Sequence, residues 1–239
     1  MLCVAGVMSF ALAVEPDLVV TRAQAAEALR SSRLDKGAPV LPQDVFVRAA
    51  KGEIVTGLVS VEGHAAKKAW GVGVFDVPIG RFWAAVNDDQ SKVEVTQLDY
   101  AEILQGKQCD APRRVFQFLP VPLMTDRWWI IDVRYNDALF AATQGRIREQ
   151  TWATNGDWTV PTSTAQVWAD QGMHINSTVG SWVLVDLDGS HTLVEYYTWA
   201  DAGGSIPAGI ASSFAASGVD TTLTTLAALA RKGTRCPIR

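Results

Sequence analysis

The chain is poor in histidine, cysteine and clustered charge, with three His, three Cys and only 19% charged residues. Each scarcity removes a class of function. His64, His174 and His191 stand far apart and in no H-x-H or H-E-x-x-H spacing, so the sequence offers no metal site of that kind. Basic residues come in short runs, such as the pairs Lys67, Lys68 and Arg113, Arg114, and the net charge is −4. Without clustered Lys and Arg there is no surface for nucleic acid. No G-x-S-x-G elbow occurs, and no phosphate-loop lysine follows Gly203 and Gly204. The D-L-D-G run at 186–189 lacks the third carboxylate and distal glutamate of a calcium loop, so it reads as a hairpin turn. Asn176, Ser177 and Thr178 match a glycosylation sequon, which goes unread in a bacterial export context. No motif asks for a cofactor.

What is present is apolar material. With 239 residues, 48% hydrophobic and nine tryptophans, the chain can bury a sizeable core as one large domain or two. The tryptophans serve either ordinary packing or the walls around a bulky apolar ligand. Residues 1–13, MLCVAGVMSFALA, are apolar, end in Ala11, Leu12 and Ala13, and precede polar V-E-P-D. They read as a secretory signal without its basic leader, too short to span a bilayer. The expected division is a signal at 1–13, an N-terminal helical segment at 14–43, the main domain at 44–232 and a tail at 233–239. Export follows, to a bacterial periplasm.

Taken in order, Thr21 with Gln24 forms a capping box for a helix to about Leu34, ended by Gly37 and Pro39. Extended runs at 44–49, 53–61 and 67–75, parted by short turn signals, predict an antiparallel meander. Pro78 opens a helix bearing Phe82, Trp83 and Val86. Strands are expected again at 98–105, 113–119 and 145–153. The last of these carries Arg146, Arg148 and Gln150 and reads as an exposed edge. Residues 156–180 lack pattern and read as an insertion. A hairpin of 181–187 and 191–199 turns at Asp188 and Gly189. From Ser205 an alanine-rich helix begins, broken at Gly218 and recapped by Asp220.

The informative stretch is 119–135, LPVPLMTDRWWIIDVRY. Pro120 and Pro122 hold its first half extended and irregular. From Asp126 the residues alternate, with Trp129, Ile131, Val133 and Tyr135 on one face and Trp128, Ile130, Asp132 and Arg134 on the other. An apolar, aromatic face opposite a mixed one predicts a strand that floors an enclosed apolar space.

P-V-P-L-M-T-D-R-W-W within this stretch resembles the Pro-x-Pro, Asp-Arg, aromatic signature of START domains in the helix-grip (SRPBCC) superfamily. Residues 181–197, S-W-V-L-V-D-L-D-G-S-H-T-L-V-E-Y-Y, resemble that family's last hairpin, and W-A-D-A-G-G-S-I-P at 199–207 resembles the opening of its C-terminal helix. The resemblance spans about 45–232. It implies an α+β fold in which a curved antiparallel sheet wraps a long C-terminal helix around a hydrophobic cavity. Ile206, Ile210 and Phe214 on that helix would then face the chamber floored by Trp129, Ile131, Val133 and Tyr135. Arg127, at the position of the signature arginine, either pins a neighbouring carboxylate or meets the polar end of a lipid. Glu195 and Asp201 pose a related question, because a buried carboxylate needs a partner and could orient a ligand hydroxyl.

The function so implied is non-enzymatic binding or transfer of one lipid, sterol or isoprenoid by a monomer that touches a membrane transiently. An enzyme is the alternative, since the superfamily includes cyclases and hydrolases with a few polar residues in the same chamber. A filled scaffold that binds nothing is the third. Finally, loss of Cys3 with the signal would leave Cys109 and Cys236 as an even pair where disulfides persist. They are expected to bond and tie the end of the last helix to the sheet; two unrelated thiols are the alternative.

Overall fold

The computed structural model describes residues 14–122, 124–201 and 208–239, with the side chains of 208–217 excepted. The elements, in chain order, are helix α1 (Pro16–Ala28), a 3-10 turn (Arg30–Ser32), helix α2 (Gln43–Ala50), strands β1 (Val55–Val59) and β2 (Lys68–Phe75), and helices α3 (Ile79–Asn87) and α4 (Asp89–Val95). Strands β3 (Tyr100–Gln105), β4 (Arg113–Leu119) and β5 (Asp126–Tyr135) follow, then helix α5 (Asp137–Ala142) and strand β6 (Ile147–Ala153). Helix α6 (Ser163–Ala169), strands β7 (Gly172–His174), β8 (Ser177–Asp186) and β9 (Thr192–Asp201), and helix α7 (Ala208–Lys232) complete the chain.

Among the described residues the strands form one sheet in the order β1-β2-β9-β8-β6-β5-β4-β3. All these pairs are antiparallel, and only the short β7 adds to β5 in parallel. The sheet has two apolar faces because its strands alternate between two cores. On the concave side Val115, Ile131, Val133, Trp182, Leu184 and Val194 pack with Phe82 and Val86 of α3 and with Val219, Leu223 and Leu226 of α7. On the convex side Ile147, Val183, Val185 and Leu193 pack with Val19, Ala23 and Ala26 of α1 and Val45 and Ala49 of α2. The fold is thus a sheet gripping α7, backed by the N-terminal helices.

Close approach of α7 is set by glycine. A Cβ at Gly71 of β2 would lie 2.4 Å from Val219 Cγ1 and 2.8 Å from Leu223 Cδ1, so only a bare backbone lets the helix seat on the strand. Past α7, Cys236 is bonded to Cys109 in the β3–β4 loop, with Cα atoms 5.5 Å apart and a sequence separation of 127. Cys3 lies outside the described residues.

Several expectations are corrected. The first helix starts at Pro16, not Thr21, because proline suits a first turn whose N–H has no partner. Residues 44–49 are helical, not extended: Val45 and Ala49, one turn apart, both bury against α1. Strand β6 is central, flanked by β5 and β8. Its polar residues are buried rather than solvated, and Glu149 accepts from the Leu34 and Asp35 backbone N–H groups (2.8 and 3.1 Å) and from Asn136 Nδ2 (2.6 Å). Residues 156–180 contain α6, β7 and the start of β8. Helix α7 runs unbroken through Gly218, since burial of Val219, Leu223, Leu226 and Leu229 outweighs the ~1 kcal/mol a helical glycine costs. The expected Ser205 cap lies outside the described residues.

Candidate functional site

Between the concave face and α7 lies a cavity of about 440 Å³. Its floor is built by register. Val133 of β5 stands opposite Trp152 of β6, Trp152 opposite Gly180 of β8, and Gly180 opposite Thr198 of β9. Gly180 is required there, because a Cβ would lie 2.0 Å from the Trp152 ring. A second row runs from Gln150 through Trp182 to Tyr196. The Trp182 and Tyr196 rings stack with centroids 4.1 Å apart, giving the cavity a flat aromatic wall. Helix α7 contributes Val219, Thr222 and Leu226, and α4 contributes Asp89 and Lys92. Lys67, Gln97, Pro122 and Met124 are exposed and mark the rim, while Val133 and Trp182 are buried.

Of the residues singled out in the sequence, Trp129, Ile131, Val133 and Arg127 line this cavity. Trp129 is oriented by its indole N–H, which donates to Gln117 Oε1 at 2.7 Å. Arg127 is buried, and its guanidinium donates to the Thr125 carbonyl and, at 3.3 Å, to that of Asp126. The Asp126 carboxylate instead accepts from the Val121 N–H at 2.9 Å and folds the proline loop onto the strand.

Tyr135 and Glu195 lie elsewhere. The Tyr135 ring packs edge-on against Trp83, and its hydroxyl donates to the Cys109 carbonyl (2.9 Å) and accepts from Arg113 (3.1 Å). Burial pushes the phenol up to about 12, and Arg113 opposes that shift. Glu195 points to the convex face, because Val194 and Tyr196 on either side of it point inward. There it pairs with Arg33 at 3.1 Å. Asp201 bonds Asn176 at 3.3 Å. Ile206 and the side chains of Ile210 and Phe214 fall outside the described residues.

Sequence reading missed Trp152, Trp182, Gln150, Thr178, Tyr196 and Thr198 as lining residues. Trp182 and Tyr196 could have been found from the alternation along the last hairpin once its register was known. Gln150 could not, because β6 read as an edge. The electrostatics of the inner end were also missed. Burial pushes the Asp89 carboxyl up, but Lys92 at 2.9 Å and Arg113 at 2.6 Å outweigh it and hold the group below its ordinary range. Among the described lining residues Asp89 is the only carboxylate, and no histidine is present. No cluster of metal-ligating side chains occurs among the described residues.

This architecture, a curved antiparallel sheet closed by a C-terminal helix over an apolar cavity, is the helix-grip fold. Its solved counterparts are START domains. A StAR-related lipid transfer protein from Xanthomonas axonopodis superposes with a TM-score of 0.61 at 19% identity, over 74% of this chain and 93% of that one. Human StAR-related lipid transfer protein 5 gives 0.62 at 13% identity, over 90% of this chain and 97% of that one. Human STARD10 gives 0.57 at 11% identity, over 83% and 84%. No family model and no curated protein matches the sequence.

Proposed function

We propose that this protein binds one hydrophobic molecule in the cavity, shields it from water and passes it on without chemical change. The reading rests on the chamber, about 440 Å³ and walled by Trp129, Ile131, Val133, Trp152 and Trp182. That volume lies in the range of small-molecule sites, roughly 300 to 1,000 Å³. Burial of an apolar tail stabilises the complex by roughly 25 cal/mol per Å², so no reactive group is needed. Acid/base chemistry is disfavoured because Asp89 is held ionised between two cations. The structural counterparts named as lipid-transfer proteins support the same reading.

Exchange proceeds at the rim, where Pro122 and Met124 stand exposed beside Lys67, a combination suited to brief contact with a membrane surface. No described helix is long and apolar enough to cross a membrane. The Cys109–Cys236 bond fits export to an oxidising compartment such as a periplasm, and the protein acts there as a monomer. The test is Val133→Trp, which fills the floor. Titration with a fluorescent fatty-acid or sterol analogue should show binding by the parent and at least tenfold weaker binding by a variant that still folds. Equal binding by both would remove this face from the site.

A further inference from the structure

A second cavity lies on the convex side of the sheet, beside α6 and away from the chamber. It measures about 340 Å³ and is walled by Trp128, Trp158 and His174, with Met173, Gln166 and Asp170 around them. Alternation along β5 sends Trp129 into the chamber and its neighbour Trp128 to this side. Trp128 is 8% exposed and stacks on buried Phe116, with ring centroids 5.6 Å apart. Trp158 stands at 81° to it, 6.3 Å away. The parallel pairing of β7 with β5 sets His174 opposite Trp128, and its ring leans on both indoles, at 5.7 Å from Trp128 and 4.9 Å from Trp158. Because the three rings touch, a ligand lies against their cavity side and not between them.

The charge around this cavity is negative. Asp170 is exposed and, apart from His174, is the one ionisable side chain among the described lining residues. Its Oδ1 accepts from the neutral Gln166 amide at 2.7 Å. Arg114 reaches the Asp157 carboxylate, next in sequence to Trp158, but is shared between Asp157 at 2.7 Å and Asp132 at 2.9 Å. No lysine or arginine occurs from residue 149 to residue 230, the stretch that supplies every described lining residue except Trp128.

We propose that this cavity is a second binding site and that it takes an alkylated ammonium group. Indole faces attract a cation, and the carboxylate of Asp170 adds to that attraction with no base beside it to compete. A metal ion or a bare ammonium must shed water to reach the rings, whereas methyl groups on the nitrogen bury apolar surface against them. An anion is repelled by Asp170, and a neutral group gains nothing from it. This site stands whether or not the chamber holds a lipid, since the two lie on opposite faces of β5.

Isothermal titration calorimetry of the full chain compares choline with 3,3-dimethyl-1-butanol, which has the same shape with carbon in place of the charged nitrogen. Choline should bind about tenfold tighter, the scale of a cation held on aromatic faces. Asp170→Asn, a change at an exposed position, should cut that ratio severalfold, and Trp158→Ala should bring it close to one. If Trp158→Ala misfolds, the parent's ratio and Asp170→Asn still test the site. Phosphatidylcholine vesicles identify the source of the group. Sedimentation of the parent with them, lost in Trp158→Ala, places it on a lipid headgroup; choline binding without sedimentation places it on a soluble molecule. Choline should also leave N-phenyl-1-naphthylamine bound in the chamber, and displacement of that probe would move the cation there and overturn the outer site. Equal binding of choline and the alcohol, binding of neither, or a ratio that survives both substitutions overturns it as well, with the chamber untouched.

Discussion

Asp89 shows what one buried charge does in this fold. Its carboxylate is 2% exposed and meets the fully buried Arg113 guanidinium and Lys92. Removing one partner of such a pair leaves the others desolvated and uncompensated, at a cost of roughly 3 to 5 kcal/mol. Asp89→Asn should therefore lower stability by about 3 kcal/mol at neutral pH, measured by urea unfolding. The folded pKa lies below the ordinary value of 3.8, so the carboxylate's contribution is complete above that value and is lost as pH falls through the lower folded one. The gap between parent and variant should be flat from pH 5 to 8 and close in more acidic solution. A gap that widens on acidification would show that Asp89 is not ionised in the folded protein.

At the scale of elements, α7 is held at two points, its seat on β2 and its covalent tether beyond Lys232. Gly71→Ala places a methyl against Val219 and Leu223 and should cost about 1 to 3 kcal/mol by overpacking, with weakened probe binding because the helix is lifted from the sheet. Double replacement of Cys109 and Cys236 by alanine opens a loop of 127 residues. In the chain-entropy account it should destabilise by about 4 to 5 kcal/mol. Thermal melts of oxidised protein against the alanine pair measure this. Identical melting temperatures would mean that helix packing alone fixes the end of α7.

For the whole molecule, the N-terminal segment is part of the sheet's second core. Residues 14–43 cover Ile147, Val183, Val185 and Leu193 on the convex face, and Arg33 enters that face to pair with Glu195. The Leu34 and Asp35 N–H groups satisfy Glu149, which is 1% exposed. A chain beginning at residue 43 exposes those side chains, takes Arg33 from Glu195 and leaves Glu149 with Asn136 but without the two backbone N–H groups. It should bind a hydrophobic dye such as ANS and lose its cooperative melt, although no lining residue is removed. Retention of a sharp melt would show that the concave core folds alone.

Local pattern carried most of the elements. The β4 and β5 spans, the last hairpin and the Pro78 helix were legible from alternation, β-branching and proline placement, and so was the inward face of Trp129, Ile131 and Val133. Three things were not. The 44–49 segment is too short for its period to be read, and its partner α1 made it a helix. Charge on β6 mimicked an edge, because a sequence does not record that Glu149 meets backbone N–H groups from residues more than a hundred positions away. The direction of Glu195, a candidate for the site, is not legible either: the side chains of a strand alternate, and its neighbour Tyr196 takes the inward place. The sequence by itself determined which residues could form strands and that an apolar face had to be covered, since those follow from spacing along the chain. Only the tertiary structure decided which strands meet, and hence that Gln150, Trp182 and Tyr196 share one wall: register between distant segments is set by pairing and by what packs on either face.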